Sequence, residues 1–298
     1  MSVENAMIGN LGGKLLVGLV GRNILASRSP WLHEQEGVAQ GLHLTYTLFD
    51  FEARGWTRDE LPRLLDAAQL IGFSGLNITH PFKQDVIAFL DALAPSAEKV
   101  GAVNTVRFEN GRRIGHNTDV TGFAESVRRG LPAAKLDRVV QFGAGGGGSA
   151  TAHALLGLGA GELILVDADA ERRARLAAQL AQAYPAARIM DVSDGQAHVA
   201  AADGVVNATP VGMASYPGTP FDTAALAAAQ WVADIVYFPL ETQLLRDARQ
   251  RGCRTLPGSG MAVFQAAGAF DIFTGRMADR DRMVASFDAA AVSPAQAA

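Results

Sequence analysis

The sequence is poor in cysteine and carries no surplus of positive charge, and both shortages exclude classes of function. Its 298 residues include one cysteine, Cys253, which excludes a disulfide framework and a cysteine-based zinc site. Lys and Arg number 26 against 30 Asp and Glu, a net charge of −4. Nucleic acid is therefore not an expected partner, since a phosphate backbone needs a clustered basic excess. None of the six histidines has HExxH spacing, so no metal site is predicted.

Segments that would direct the chain to a membrane are also lacking. Residues 1–13 contain no basic stretch followed by an apolar one, so no signal peptide is predicted. The longest uncharged run, residues 139–161, is long enough to raise the question of a membrane span. Eight of its residues are glycine, and we interpret it as part of a soluble domain. We expect a cytoplasmic protein with a small-molecule partner and no membrane contact; a homo-oligomer is compatible with the sequence.

Two series of apolar runs alternate with helical patterns, which predicts an α/β fold. The first series has predicted strands at residues 14–21, 44–50 and 71–79, and predicted helices at 30–41, 57–70 and 81–93. The second has predicted strands at residues 138–142, 162–166, 205–207 and 231–236, and predicted helices at 149–157, 170–183 and 240–251. Parallel strands with helical crossovers are the natural arrangement for the second series.

A glycine-rich loop follows the first strand of the second series. Residues 143–148 fit the pattern G-x-G-x-x-G, in which glycines allow a tight turn and a close approach of backbone to a pyrophosphate. The N-terminus of the following helix offers free N–H groups to the phosphates. The next strand ends at Asp167, 167 − 143 = 24 residues on, where an acid would bind the adenosine ribose and repel a 2′-phosphate. The alternative is a flexible turn with a solvated acid, and Arg172 and Arg173 could instead hold a 2′-phosphate.

Four polar clusters lie in the first half, at residues 27–30, 75–83, 101–105 and 115–119. Open α/β sheets bind their ligands at the C-terminal ends of strands, where such clusters are expected. Each cluster also has an ordinary structural explanation. Ser29 and Asp119 could cap helices, Asn104 and Asn117 could be turn residues, and Lys83 could be a solvated helix lysine.

Taken together, the motifs resemble the shikimate dehydrogenase family, most closely its NAD-preferring quinate/shikimate dehydrogenase branch. The matching segments occur in the family's order, as ASRSPWLHE (26–34), GLNITHPFKQ (75–84), GAVNT (101–105), GHNTDVTG (115–122), GAGG (143–146), NATPVGM (207–213), DIVYFPLET (234–242) and GMAVFQA (260–266). The resemblance implies an N-terminal α/β substrate domain, residues 1–120, completed by C-terminal helices at about 258–288. It also implies a Rossmann NAD-binding domain at residues 121–257.

The resemblance further implies reversible oxidation of a ring hydroxyl of shikimate or quinate, giving 3-dehydroshikimate or 3-dehydroquinate, and it assigns site residues. The catalytic pair would be Lys83 and Asp119. Substrate contacts would be Ser27, Ser29, Asn77, Thr79, Asn104, Tyr237 and Gln265. Cofactor contacts would be Gly143, Gly145, Gly146, Asp167, Arg172, Asn207, Thr209 and Met261. A lysine can accept the alcohol proton if its pKa is lowered, or relay it to water, and the sequence does not choose between these.

The segment VDADAERR (166–173) departs from the Asn-Arg-Thr pattern of NADP-dependent members and favours NAD, with Arg172 beside the adenosine. Alternatives are an NADP-dependent biosynthetic shikimate dehydrogenase, a metabolite sensor without catalysis, and an enzyme acting on a modified cyclohexene acid. In the NAD branch the position of Ser29 is often Thr. Shikimate-specific members usually have Ser at this position, so Ser29 leads us to expect a preference for shikimate over quinate. The expected preference is about tenfold, since one methyl group contributes only ~1 kcal/mol.

Overall fold

The structure is a computed structural model that describes residues 14–292, and it separates into two compact units. The described part of the first unit spans residues 14–118 and 265–292, and the second spans 119–264. The corresponding boundaries expected from the sequence were near residues 120 and 257. The segment 1–13, for which no signal peptide was predicted, lies outside the described residues.

The first unit is built on a mixed six-stranded sheet with the order β2-β1-β3-β5-β6-β4. Its strands are β1 (Lys14–Gly21), β2 (His43–Asp50), β3 (Gly75–Ile78), β4 (Ala92–Leu93), β5 (Thr105–Glu109) and β6 (Arg112–His116). Strands β1, β2 and β3 run parallel, whereas β5 pairs antiparallel with both β3 and β6. The prediction of a strand at 71–79 was too long, because residues 71 and 72 still belong to the turn that ends the preceding helix.

Helices of the first unit are α1 (Ser29–Ala39), α2 (Glu60–Leu70) and α3 (Pro95–Val100). The helix predicted at residues 81–93 was wrong. A turn leads instead into a short 3-10 helix, Asp85–Phe89, and the chain then forms β4 beside β6. Phe82 and Val86 are buried in the core, and Leu93 pairs with Gly115. Tertiary packing and strand pairing thus override the local helical pattern.

The second unit is built on a parallel sheet with the order β12-β11-β10-β7-β8-β9. Its strands are β7 (Arg138–Phe142), β8 (Glu162–Val166), β9 (Arg188–Val192), β10 (Gly204–Asn207), β11 (Trp231–Asp234) and β12 (Arg254–Leu256). The strand order reverses between β7 and β10, which is the switch point at which Rossmann folds bind dinucleotides. The predicted α/β class with a Rossmann unit is confirmed.

Helices of the second unit are α4 (Asp119–Gly130), α5 (Gly146–Gly157), α6 (Ala170–Ala183), α7 (Gln196–Val199) and α8 (Gln243–Gln250). The long helix α9 (Gly258–Thr274) begins in the second unit and ends in the first. Helix α10 (Arg280–Val292) belongs to the first unit, where it contacts α1. Glu36 on α1 is buried and accepts two 2.7 Å hydrogen bonds from Arg282, which fixes α10 in place. No helix within residues 14–292 is both long and apolar enough to cross a bilayer.

Candidate functional site

Ser27 and Ser29 lie together at the start of α1 in the first unit. The Ser27 hydroxyl donates to Ser29 Oγ over 3.1 Å and accepts from the Ser29 backbone N–H over 3.3 Å. Arg28, between them, stacks its guanidinium on the Phe287 ring of α10 at 4.9 Å. The two hydroxyls therefore form a neutral polar pair at the N-terminus of α1, which has Pro30 in its first turn, and this arrangement suits a carboxylate.

Asn77, at the middle of the first sheet, has its side-chain amide fixed by three hydrogen bonds. Its Nδ2 donates to the Asn104 carbonyl at 3.2 Å and to Thr105 Oγ1 at 3.0 Å. Its Oδ1 accepts from the Tyr46 hydroxyl at 2.8 Å. Tyr46 was not singled out from the sequence, because nothing local to β2 indicates a partner 31 residues away. Since both N–H groups are used within the protein, Asn77 can offer a ligand only an acceptor lone pair.

Asn104 is the hub of a second group of bonds in the same unit. Its Nδ2 donates to Thr118 Oγ1 at 2.8 Å and to Gln265 Oε1 at 3.3 Å, and its Oδ1 accepts from the Thr118 N–H at 2.9 Å. Thr118 in turn donates its hydroxyl to the Gln265 carbonyl at 2.9 Å. The structure thus joins the predicted residues Asn77, Asn104 and Gln265 in one network, through threonines the sequence did not identify.

Thr79 and Lys83 follow β3 in the turn that replaces the predicted helix. The Thr79 N–H donates to the Val20 carbonyl at 2.9 Å, and a side chain at Gly21 would collide with the Thr79 methyl, 2.4 Å away. Lys83 is half-buried, and its carbonyl accepts from the Val103 N–H at 2.8 Å. This bond places Lys83 beside the segment that carries Asn104.

Two other predicted residues, Asp119 and Tyr237, belong to the second unit. Asp119 is buried, is the first residue of α4, and directly follows Thr118 in the chain. Its position in the sequence is therefore next to the network of the first unit. Tyr237 lies after β11 and is 41% exposed.

The glycine loop of the second unit has the geometry that a dinucleotide requires. Gly143 has φ +105°, and a Cβ there would lie 2.5 Å from the Ala208 backbone. A Cβ at Gly148 would lie 2.2 Å from the Gly143 carbonyl oxygen, whereas Gly145 faces open space. Gly145 is the N-cap of α5, which begins at Gly146. Gly143 thus allows the tight turn, Gly145 leaves room for a ligand to approach the backbone, and Gly148 allows close packing of the helix. These are the three roles that glycines have in a dinucleotide-binding loop, so this loop fits a pyrophosphate.

A buried glutamine that the sequence did not single out stabilises this loop. Gln141 on β7 donates through Nε2 to the carbonyls of Gly143 at 2.9 Å and Gly148 at 2.8 Å. Its Oε1 accepts from the Thr151 hydroxyl at 2.8 Å. The loop is thereby joined to the strand before it and the helix after it, so its N–H groups are preorganised for phosphate.

Asp167 lies just after β8, where the sequence placed the ribose-binding acid. Its Oδ2 accepts from the Ala144 N–H at 2.7 Å, and its Oδ1 accepts from Arg172 Nη2 at 2.7 Å. Arg173 donates to the Asp167 carbonyl at 2.7 Å and pairs with Asp191. Burial alone would raise the pKa of Asp167, but the bonds from Arg172 and the backbone outweigh it and hold that pKa below its usual value. The carboxylate is therefore ionised at neutral pH.

Asn207 and Thr209 form a turn after β10, next to the glycine loop. Asn207 Oδ1 accepts from the Thr209 N–H at 3.0 Å and from its hydroxyl at 2.6 Å. Asn207 Nδ2 donates to the Val211 carbonyl at 2.8 Å and to Asp234 Oδ1 at 3.0 Å. Met261 on α9 is buried in the apolar core of the second unit. The structure thus places the Asn207 side chain inside the turn and Met261 among core residues.

Two family models that match this chain both describe shikimate dehydrogenases. The model for the shikimate dehydrogenase substrate binding domain matches residues 19–106, and that for the shikimate 5′-dehydrogenase C-terminal domain matches residues 258–286. The solved structure of quinate dehydrogenase from Corynebacterium glutamicum in complex with NAD is 47% identical. It superposes with a TM-score of 0.85 over 93% of this chain and 99% of that one.

Curated relatives of high identity carry both cofactor names. A shikimate dehydrogenase (NADP(+)) from Streptomyces avermitilis is 54% identical over 91% of this chain and 94% of its own length. A quinate/shikimate dehydrogenase (NAD(+)) from Corynebacterium efficiens is 50% identical over 92% of this chain and 97% of its own length. Identity at this level along nearly the whole sequence, with a substrate-domain sheet and a Rossmann sheet of the expected order, shows that the chain belongs to the shikimate dehydrogenase family.

Proposed function

We propose that this protein is an NAD-dependent quinate/shikimate dehydrogenase that oxidises the ring hydroxyl of shikimate or quinate to 3-dehydroshikimate or 3-dehydroquinate, reversibly. The observation that carries the choice of NAD is the charge around Asp167. Asp167, Asp169 and Asp191 contribute three negative charges, and Arg172 and Arg173 contribute two positive ones. Arg172 pairs with Asp167 and Asp169, whereas Arg173 pairs with Asp191 and donates to the Asp167 carbonyl. The cluster is net negative by one charge, so a 2′-phosphate would be repelled, whereas a ribose hydroxyl can donate to a carboxylate.

The first unit supplies groups that suit a hydroxylated ring acid. The Ser27 and Ser29 hydroxyls would hold the carboxylate of the substrate. Asn77, with both N–H groups used, would accept a hydrogen bond from a ring hydroxyl through Oδ1. Asn104 would contact a second hydroxyl by giving up the 3.3 Å bond to Gln265. Thr79, Tyr237 and Gln265 complete the proposed contacts.

Lys83 and Asp119 are the proposed catalytic pair. A bound nicotinamide supplies the acceptor for the hydride that leaves the ring carbon. Lys83 Nζ would receive the proton of the same hydroxyl, directly or through water, and Asp119 would orient both the ammonium and the hydroxyl. At the cofactor, the N–H groups at the start of α5 would bind the pyrophosphate, Gly143, Gly145 and Gly146 would allow its approach, and Asp167 and Arg172 would flank the adenosine.

The test is a set of initial rates on purified protein with shikimate and quinate, each with NAD and with NADP. We expect turnover of both acids with NAD, with the higher kcat/KM for shikimate. Turnover of neither acid with either cofactor would reject the proposed function and leave a sensor or an enzyme acting on a modified cyclohexene acid.

An NADP-dependent biosynthetic shikimate dehydrogenase is the second candidate. The observation that favours it is a sequence identity of 54% to a relative named for NADP, compared with 50% to the NAD-named relative from Corynebacterium efficiens. Arg172, whose side chain is 44% exposed, could turn from Asp167 to a 2′-phosphate. Equal or higher kcat/KM with NADP in the rate comparison would select this candidate.

A further inference from the structure

A buried carboxylate outside the proposed contact residues lies at the end of β11. Asp234 is 1% exposed, and its Oδ1 accepts from the Val236 N–H at 3.0 Å and from Asn207 Nδ2 at 3.0 Å. Its Oδ2 accepts from the Thr242 hydroxyl at 2.7 Å. All three donors are neutral groups. A negative charge is therefore held in the protein interior by hydrogen bonds from neutral groups alone. Such burial costs free energy of folding, so the stability of the fold does not explain why a carboxylate stands here.

Through Asn207, this carboxylate determines the shape of the turn after β10. The Asn207 amide makes two donor bonds, to Asp234 and to the Val211 carbonyl, and accepts two bonds from Thr209. Its hydrogen-bonding capacity is thus used entirely within the protein. Because Asp234 can only accept while ionised, it forces the amide nitrogen of Asn207 toward itself and the oxygen toward Thr209.

The same turn packs directly against the glycine loop and folds back over Asp234. A Cβ at Gly143 would lie 2.5 Å from the Ala208 carbonyl carbon and 2.9 Å from the Thr209 nitrogen, so the two loops touch through backbone. Gly212 has φ +107°, and a Cβ there would lie 3.7 Å from Asp234 Oδ2 and 3.4 Å from the Thr242 methyl. The segment 208–212 is thus enclosed between the glycine loop and the Asp234–Thr242 pair.

The topology gives this segment a specific place along a dinucleotide. The pyrophosphate lies at the turn after β7, and the acid after β8 marks the adenosine side. The segment follows β10, on the opposite side of the switch point, and therefore borders the nicotinamide half. We propose that Asp234 and Thr242 are positioning residues that fix the segment 208–212 for the nicotinamide half of the cofactor, and that Asn207 acts through this segment instead of by side-chain contact. The proposal rests on the proposed function for the identity of the ligand.

The experiment compares binding of NADH with binding of ADP-ribose, which lacks the nicotinamide, by titration calorimetry on the full chain. Asp234→Asn keeps the volume but replaces an acceptor facing the Thr242 hydroxyl with a donor. We expect a Kd for NADH about tenfold higher, as for loss of one charged hydrogen bond, and a Kd for ADP-ribose within about twofold of wild type. Thr242→Val, which keeps the shape of the side chain without the hydroxyl, should raise the Kd for NADH by a similar factor. Thr242→Ser, which keeps the hydroxyl, should bind NADH with the wild-type Kd.

Thr223→Val is the matched control, because it removes a 3.0 Å hydroxyl–carboxylate bond to Asp247 elsewhere in the same unit. It should leave both Kd values unchanged. Wild-type NADH binding in both Asp234→Asn and Thr242→Val would overturn the proposal, as would equal weakening of NADH and ADP-ribose. If the wild-type protein does not bind NADH, the proposed function is overturned as well. The wild type therefore tests the proposed function, and the variants test this inference.

Discussion

Arg172 holds the Asp167 carboxylate through two hydrogen bonds, Nη2 to Oδ1 at 2.7 Å and Nε to Oδ2 at 3.3 Å. The acid that would bind the ribose is therefore oriented by an arginine on the following helix and by the Ala144 N–H of the glycine loop. Loop, acid and arginine form one preorganised surface at the adenosine end. We therefore expect cofactor choice to depend on this group of residues together, because its members share charge and hydrogen bonds.

Replacing the acid should change cofactor choice. Asp167→Ser removes the negative charge and frees Arg172 for a phosphate, so the ratio of kcat/KM for NADP to that for NAD should rise by about tenfold or more. Steady-state rates with both cofactors measure this ratio. Asp222→Asn, at an exposed position outside this cluster, is the control and should leave the ratio unchanged. An unchanged ratio in Asp167→Ser would contradict the assignment.

Removing the proposed proton acceptor should lower turnover strongly while substrate still binds. Lys83→Ala should lower kcat by about 100-fold or more, the usual contribution of a positioned acid–base group, with substrate Kd changed much less. Rates and calorimetry on the same preparation separate the two effects. Lys99→Ala, at an exposed position on α3, should behave as wild type. Normal turnover in Lys83→Ala would refute the catalytic role.

Ser29, the first residue of α1, should influence the choice of ring acid. Ser29→Thr adds a methyl group beside the position proposed for the substrate carboxylate, where quinate carries a hydroxyl and shikimate a double bond. We expect the ratio of kcat/KM for shikimate to that for quinate to fall from about ten toward one, since a methyl group is worth ~1 kcal/mol. A clear quinate preference in the wild type, or an unchanged ratio in the variant, would remove Ser29 as the discriminating residue.

His33 should make the first unit sensitive to acid. It is fully buried against Tyr46, Phe270 and Phe273, and its ring nitrogens find no hydrogen-bond partner among residues 14–292. Burial lowers its pKa from 6.5 to about 3, so between these values the unfolded chain binds more protons. The free energy of unfolding should therefore fall as the pH drops from 6.5 toward 3, by up to ~5 kcal/mol.

Denaturant titrations of wild type and His33→Leu across this pH range measure that contribution. The variant should lose much of the acid dependence, whereas His43→Leu, at an exposed position on β2, should keep it. Parallel pH curves for wild type and His33→Leu would show that His33 is not the group responsible.

Asp234, in the second unit, should make the free energy of unfolding depend on pH in the opposite direction to His33. Burial raises its pKa from 3.8 to about 6 and outweighs the hydrogen bonds from Thr242, Val236 and Asn207. The folded state then binds more protons between these values, so the free energy of unfolding falls as the pH rises from 3.8 to 6, by ~3 kcal/mol. Asp234→Asn should remove this fall, and Asp222→Asn, at an exposed position, should not. An identical pH profile in Asp234→Asn would refute the prediction.

Features encoded in a short stretch of sequence could be predicted from it. The strands β1, β7 and β8, the glycine loop and the acid 24 residues after Gly143 all follow from apolar periodicity and from the backbone demands of phosphate binding. The order of the eight matching sequence motifs identified the family. Less apolar or shorter strands such as β9 and β12 were not predicted, because their stability comes from pairing with β8 and β11.

The sequence by itself therefore determined the fold class and which polar residues to examine, since these depend on neighbours within a few positions. Only the tertiary structure decided how those residues are used. Tyr46 fixes Asn77 across 31 positions, and Asp234 fixes Asn207 across 27. The end of the predicted helix 81–93 forms β4 instead, because β6 offers it a pairing edge. Hydrogen bonds between segments far apart in the chain leave no local pattern, so the orientation of each side-chain amide appears only once the sheets have formed.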